Sequence, residues 1–130
     1  MHFKKYFVFF LISIFSLGIV LAEQANLKPI LRGQAFDGIA PADGATITAY
    51  PLGNASDTLI DTVGPAGNTG LSSHWKVNLN NFGTNIQNNE IIVINLSDGV
   101  DHTSVTYSVD LSDGVVIFLL NLDKAFQDYD

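Results

Sequence analysis

Apolar and polar residues alternate with a period of two along most of the chain after residue 22. This is the spacing of a β-strand that buries one face. Between His74 and Leu79, for example, Trp75 and Val77 are expected on one face and Lys76 on the other. No window there repeats apolar residues at the helical spacing of about 3.6 residues. Together with segments rich in β-branched and aromatic residues, this pattern predicts seven strands, at Ile30–Phe36, Ala45–Tyr50, Thr58–Val63, His74–Leu79, Glu90–Leu96, Thr103–Asp110 and Val115–Leu122.

The segments between these strands carry turn residues. Glycine supplies the backbone conformation of a tight turn, and aspartate hydrogen-bonds to the backbone of its own turn. Short strands separated by such turns are typical of a β-sandwich, so we predict an all-β fold, a seven-stranded antiparallel β-sandwich over residues 30–122. An N-terminal extension (23–29) precedes it and an acidic C-terminal tail (123–130) follows. The Asp-Gly turns are Asp37-Gly38, Asp43-Gly44, Asp98-Gly99 and Asp113-Gly114.

The first 22 residues have a different pattern. Lys4 and Lys5 precede an apolar run from Tyr6 to Leu21, and small residues stand at the two positions that a signal peptidase reads, ending at Ala22. This pattern predicts a secretory signal peptide over residues 1–22, helical and cleaved after Ala22. Its retention as an anchor is the alternative, but the run is shorter than the ~20 residues that span a bilayer. We expect a secreted or cell-surface protein with no membrane insertion after cleavage.

The amino-acid composition excludes cysteine chemistry and argues against nucleic-acid binding. The chain has no cysteine, which excludes disulfides, Cys-ligated metal sites and thiol nucleophiles. It has 6 Lys+Arg against 13 Asp+Glu, and all 13 acids lie after the predicted cleavage site. Because nucleic-acid binding depends on cations that neutralise phosphates, we expect no nucleic-acid partner.

Two stretches resemble a known family. Residues 33–50, GQAFDGIAPADGATITAY, resemble the opening of carboxypeptidase-regulatory-like (prealbumin-like) domains, with its Gly-x-Val, acidic turn, proline and Gly-Ala-x-Val-x-Ala. Residues 62–64 and 75–79 resemble the family's Thr-Asp-x-x-Gly-x-Tyr-x-Val-x-Leu, with Val63 in place of its Asp. The resemblance implies an Ig-like/prealbumin-like sandwich used as a non-enzymatic spacer, adhesion or scaffold unit, in some cases a sugar binder. It carries no catalytic residue to this chain.

Few residues are suited to catalysis. After residue 22 the chain has two histidines, His74 and His102, and no Gly-x-Ser-x-Gly motif. A Ser-His-Asp site assembled from distant residues remains open, because triads do not depend on chain order. We expect no catalytic residues, no bound cofactor other than Ca²⁺, and no enzymatic activity.

Carboxylates offer a candidate metal site. If successive strands reverse direction, the loops after the first, third and fifth predicted strands share one end of the sandwich. That end would gather Asp37, Asp43, Asp98 and Asp101 beside the loop Gly64–Ser73, and Ca²⁺ prefers six to eight oxygen ligands. The alternative is that each aspartate only caps its own turn.

Two sequons, at Asn54 and Asn95, are candidate N-glycosylation sites if the host has that pathway. Asn54 lies in a loop with Pro and Gly. Asn95 lies near the end of a strand, where modification is less favourable.

The last predicted strand is apolar on both faces. Residues 115–120 read VVIFLL, whereas a half-buried strand should alternate. Either the tail, with Phe126 and Tyr129, covers the second face, or the outer face with Val115, Ile117 and Leu119 meets another chain.

Two functions are therefore open. The first is a structural or adhesive module at the cell exterior that joins a protein partner or a second copy of itself. The second is a ligand-binding module, for carbohydrate or Ca²⁺, that uses the Asp/Gly-rich loops. Sugar sites display aromatic side chains on an open face, and we expect Trp75 to be buried, which favours the first.

Overall fold

Strand pairing arranges the chain into two facing β-sheets. The computed structural model describes residues 27–127, so the predicted signal peptide lies outside the described residues, as do residues 23–26 and 128–130. Sheet A contains β1, β2, β5 and β8, and sheet B has the order β4-β3-β6-β7. The prediction of an all-β, two-sheet fold is confirmed at this level. The strands are β1 (Ile30–Asp37), β2 (Ala40–Pro41), β3 (Thr46–Pro51), β4 (Leu59–Thr62), β5 (His74–Asn78), β6 (Ile91–Ser97), β7 (His102–Ser108) and β8 (Val115–Asn121).

All seven predicted strands are present, and their ends agree with the prediction to within two residues. The eighth strand, β2, has only two residues and pairs with the end of β1. Two short helical segments were not predicted. Leu79–Asn81 forms a 3-10 turn capped by the side chain of Asn78, and Lys124–Gln127 forms a one-turn helix, α1, in the predicted tail.

One strand pair corrects the expectation of a fully antiparallel sandwich. β1 and β8 are parallel, with Ile30 opposite Val115 and Phe36 opposite Asn121. The other five pairings are antiparallel. The reason is geometric: each of the seven long strands reverses the chain direction, so the first and the last point the same way and become parallel when they are neighbours.

The core lies between the sheets and contains the inward residues of every long strand. In β6, Ile92, Ile94 and Leu96 are fully buried while their neighbours are half-buried. Trp75 has no exposed surface, as predicted, and its ring stacks against Phe118 of β8 with centroids 6.3 Å apart. The ring of Tyr107 meets Phe118 edge-on at 6.1 Å. Aromatic packing therefore joins β5 and β8 of sheet A to β7 of sheet B.

The edges of the two sheets are joined on one side of the sandwich and unpaired on the other. On one side, the buried carboxylate of Asp61 in β4 accepts a hydrogen bond from the backbone N–H of Lys76 in β5 (2.8 Å), which joins the edges of the two sheets. Asp61 also accepts N–H groups from Thr62 and Asn68, both at 2.8 Å. On the other side, β7 ends sheet B and β8 ends sheet A, and among residues 27–127 no further strand pairs with either.

Candidate functional site

The outer face of β8 is an exposed apolar stripe. Val115, Ile117 and Leu119 are 52%, 76% and 58% exposed, while Val116, Phe118 and Leu120 point to the core. Helix α1 lies only at the end of the strand, where the side-chain oxygen of Gln127 accepts the backbone N–H of Asn121 (2.6 Å). Within the described part of the chain, the tail does not cover this face. The predicted outward position of the three side chains is confirmed, and their role in an interface remains a prediction.

The backbone of β8 has unused hydrogen-bonding groups. The carbonyl of Gly114 accepts from Ile30 and the N–H of Leu122 donates to Phe36, so the even-numbered residues of this segment bond to β1. Because N–H and C=O groups alternate sides along a strand, those of Val115, Ile117 and Leu119 point to the free edge. Each of these three residues therefore has both an exposed apolar side chain and backbone groups with no partner in the described residues.

The surface beside this stripe is polar and free of carboxylates. A shallow groove runs between the β8 side chains and Arg32, Gln34 and His74 of the neighbouring strands. Arg32 and Lys76 are exposed on the outer face of sheet A, whose strands carry no acidic residue except Asp37 at the end of β1. The described residues hold ten acids against four Lys+Arg, so this face differs in charge from the rest of the molecule.

Ser, His and Asp side chains meet at the start of β5 but do not form a catalytic triad. His74 Nδ1 lies 2.7 Å from the carbonyl oxygen of Ser72, so this nitrogen carries the proton and donates. Nε2 then accepts from the side-chain amide of Gln34 (3.3 Å). Asp43 bonds to Ser72 and Ser73 rather than to the imidazole. A triad needs a carboxylate on one ring nitrogen and a hydroxyl on the other. No described carboxylate bonds to the ring, and the hydroxyl of Ser73 lies 3.5 Å from Nδ1, the nitrogen that donates to Ser72, while Nε2 faces the amide of Gln34.

His102 is exposed at the first position of β7 and lines an open groove with Asp37, Asp101, Asp123 and Lys124. It makes no side-chain hydrogen bond to any described residue that would orient it as a base. The expectation that the protein is not an enzyme remains a prediction.

The four carboxylates of the predicted calcium site lie at one end of the sandwich. Asp37, Asp43 and Asp98 line a common groove, and Asp101 lines the adjoining groove, which also contains Asp37. The turns after β1 and β6 and the loop after β4 meet there, as the expected reversal of strand direction requires. Sequence reasoning therefore placed these residues at the same end of the molecule.

Two of these carboxylates are held by hydrogen bonds within the protein, Asp43 by the loop that precedes β5 and Asp98 by its own turn. Asp43 accepts the N–H of Ser73 and the hydroxyl of Ser72, both at 2.7 Å, and these hydrogen bonds hold the pKa of Asp43 below its usual value. Asp98 accepts the N–H groups of Asp101 (2.7 Å) and Val100 (2.8 Å), which likewise lower the pKa of Asp98. No group of three or more His, Asp or Glu within residues 27–127 is close enough to hold a metal ion. The calcium assignment stays a prediction.

The two sequons differ in setting. Asn54 lies in the loop between β3 and β4, and its side-chain oxygen accepts the hydroxyl of Ser56 (2.8 Å). Asn95 is half-buried in the middle of sheet B, where its side-chain oxygen accepts the hydroxyl of Ser104 (2.9 Å). Of the two, only Asn54 is on a segment that an enzyme reaches without opening a sheet. Glycosylation at either position remains a prediction.

Two structural carboxylates were missed by sequence reasoning. Asp61 joins the two sheets, and Asp57 joins the two loops at the opposite end of the sandwich from the calcium site. Asp57 accepts the N–H groups of Gly83 (2.9 Å) and Thr84 (3.0 Å) and the Thr84 hydroxyl (2.6 Å), which hold the pKa of Asp57 below its usual value. The bonds that join separate segments have no local signature, because their partners are 7 to 27 positions away in sequence.

Comparisons with protein-family models, curated proteins and solved structures found no match. Within residues 27–127 there is also no helix of the length and apolar character needed to cross a bilayer. The geometry of the described residues is therefore the basis for a functional assignment.

Proposed function

We propose that this protein is exported, through removal of residues 1–22, and acts as a non-catalytic structural or adhesive β-sandwich module at the cell exterior. The observation that supports this proposal best is the exposed outer face of β8. Monomeric proteins normally cover an apolar edge strand or place a charge or a proline on it. β8 has neither residue type over its seven positions, so a contact surface is the function that explains its composition.

The resemblance to carboxypeptidase-regulatory-like domains supports the same role, because such domains act as spacers and scaffold units. The hydrogen-bonding pattern of His74 agrees with a structural role for that histidine. The burial of Trp75 removes the one tryptophan as a stacking surface for sugars, so the carbohydrate alternative would have to use other side chains.

The test uses the full gene expressed with its own leader in its native host. Intact cells are treated with formaldehyde, and adducts of the chain are compared for the parent, Ile117→Lys and Thr106→Lys. Position 106 is the matched control, since Thr106 is also exposed in the middle of an edge strand. We expect parent and Thr106→Lys to give adducts above the monomer mass and Ile117→Lys to lose them. Mass spectrometry of the recovered chain should find Glu23 at its N-terminus.

A chain recovered from inside the cell with residues 1–22 intact would contradict the export proposal. Adducts that are absent in the parent, or unchanged by Ile117→Lys, would contradict an interaction role for β8.

A further inference from the structure

The free edge of β8 is compatible with a second copy of itself. In an antiparallel pair centred on Phe118, Ile117 faces Leu119 of the other copy, and Val115 faces Asn121. These are the odd positions, whose N–H and C=O groups point to the free edge, so Ile117 and Leu119 form the hydrogen-bonded pairs at the centre of the new ladder. The Val115–Asn121 pairs at its ends lack one hydrogen bond each, because the N–H of Asn121 is donated to Gln127. The even positions form the intervening pairs, Phe118 with Phe118 and Val116 with Leu120. The strands thereby pair with no shift of register, and the ladder is complete from Val116 to Leu120.

The side chains also match across this two-fold axis. Residues opposite each other in an antiparallel pair point to the same face, so the exposed stripes of the two copies become neighbours on the outer face of one continuous sheet. Ile117 of each copy then contacts Leu119 of the other. Large apolar side chains in such pairs stabilise a sheet, whereas like charges opposite each other destabilise it.

Charge favours this edge over other surfaces for contact between copies. Two acidic molecules repel where their carboxylates approach, but β8 is uncharged, and the nearest charged side chain on the strand beside it is Arg32. The nearest acids along the chain, Asp113 and Asp123, lie beyond the two ends of the strand. Repulsion between copies therefore acts mainly at a distance, where salt screens it.

We infer that the partner of β8 is a second copy of this chain, joined through antiparallel pairing of the two β8 strands about Phe118. The inference rests on the proposed function and names the partner of the same surface. A seven-residue strand pair buries less than the roughly 800 Å² per partner of a standard interface, so we expect a weak dimer with a dissociation constant on the order of micromolar.

The test uses the processed chain purified after export and sedimentation velocity over a range of concentrations. The double variants Ile117→Lys/Leu119→Lys and Ile117→Glu/Leu119→Glu should each dimerise at least about tenfold more weakly than the parent, since like charges then face each other. An equal mixture of the two should restore the dimer, because position 117 of each copy faces position 119 of the other. The control, Thr106→Lys/Ser108→Lys, carries the same charge on the other edge strand and should dimerise like the parent.

Two further measurements need no variant. The backbone amides of Ile117 and Leu119 should become protected from hydrogen exchange as concentration rises, while the amide of Thr106 should not. Dimerisation should also strengthen with added salt, as expected for an apolar contact between like-charged molecules. The thermal midpoint of each variant shows that it is folded, which the exposure of both substituted side chains leads us to expect.

A parent chain that stays monomeric at about 1 mM, far above a micromolar dissociation constant, would overturn self-pairing. Three other results would also overturn self-pairing. These are a lysine variant that dimerises like the parent, a mixture that fails to restore the dimer, and a dimer that is weakened by salt. If adducts on cells depend on Ile117 while the purified chain remains monomeric, self-pairing fails, but the proposed function stands with a different protein as the partner.

Discussion

At the scale of single residues, the frequency of aspartate suggested a metal site. In the structure, several aspartates instead accept hydrogen bonds that stabilise turns and join loops and sheets. Asp43, Asp57, Asp61 and Asp98 each accept at least two hydrogen bonds, mostly from backbone N–H groups. The turn-capping role of Asp98 is local and follows from its Asp-Gly sequence. The roles of Asp57 and Asp61 could not be predicted, because their partners, apart from Thr62 beside Asp61, lie 7 to 27 positions away and are set by the packing of the sheets.

Replacement of the buried tryptophan tests the core at this scale. We expect Trp75→Ala to lower the free energy of unfolding by about 3–5 kcal/mol, because it leaves a large cavity between the sheets. The indole N–H has no hydrogen-bond partner within the described residues, so the loss comes from apolar packing and not from a broken hydrogen bond. Urea unfolding measures the difference. Phe126→Ala removes a half-exposed aromatic ring and is the control, which should change little.

At the scale of elements, alternation together with runs of β-branched and aromatic residues was sufficient to locate every long strand but not to pair them. The two-residue strand β2 is too short to alternate, and the parallel pairing of β1 with β8 joins segments at opposite ends of the sequence. The outward face of β8 could be predicted from its apolar residues. The position of β8 at the edge of sheet A could not be predicted, because an edge strand and a central strand can both have apolar residues on two faces and then have the same sequence pattern. The strand β6 illustrates this, since its Ile91–Ile94 run lies in the interior of sheet B.

The close approach of β1 and β8 depends on one glycine. A methyl group at Gly33 would overlap the backbone carbonyl of Phe118. We expect Gly33→Ala to destabilise the protein by roughly 1–3 kcal/mol, because β8 must move away from β1. Thermal melting measures the loss, and hydrogen exchange should show it concentrated in the amides of β8.

Gly114 provides the matched control for this substitution. It directly precedes β8, has open space around the position of a Cβ atom, and does not have a positive φ. Gly114→Ala should melt like the parent. Equal destabilisation by the two substitutions would show that the effect at position 33 does not come from contact with Phe118.

At the scale of the whole molecule, stability depends on carboxylates in loops at both ends of the sandwich. Hydrogen bonds to serine, threonine and backbone groups lower the pKa of Asp43, Asp57, Asp98 and Asp110 from their usual value of 3.8. In contrast, burial, together with the neighbouring Asp113, raises the pKa of Tyr107 above its usual 10.0. We therefore expect these groups to contribute to the loss of stability at low and at high pH.

The sign of each effect follows from linkage between protonation and folding. A carboxyl whose pKa is lower in the folded state stabilises the fold above the unfolded pKa and loses this contribution as the pH falls through the folded pKa. A phenol whose pKa is raised contributes below pH 10 and loses this contribution as the pH rises through its folded pKa. We expect the thermal midpoint to be level at intermediate pH, to fall below about pH 4 and to fall again above about pH 10.

Melting curves between pH 2.5 and 11 measure both limits. Asp57→Asn should reduce the slope of the acid limb, and Tyr107→Phe should reduce the slope of the alkaline limb. A midpoint that stays constant between pH 7 and pH 3 would contradict the structural role assigned to these carboxylates.

The parallel pair of β1 and β8 has a consequence for the order of events during synthesis. The strand that completes sheet A is the last of the described strands along the chain, and it supplies Phe118 and Leu120 to the interior. A nascent chain that emerges N-terminus first, from a ribosome or from a translocation channel, cannot close around its interior until residue 121 is free. Such a chain stays open until β8 has emerged and acquires its final shape only after that point.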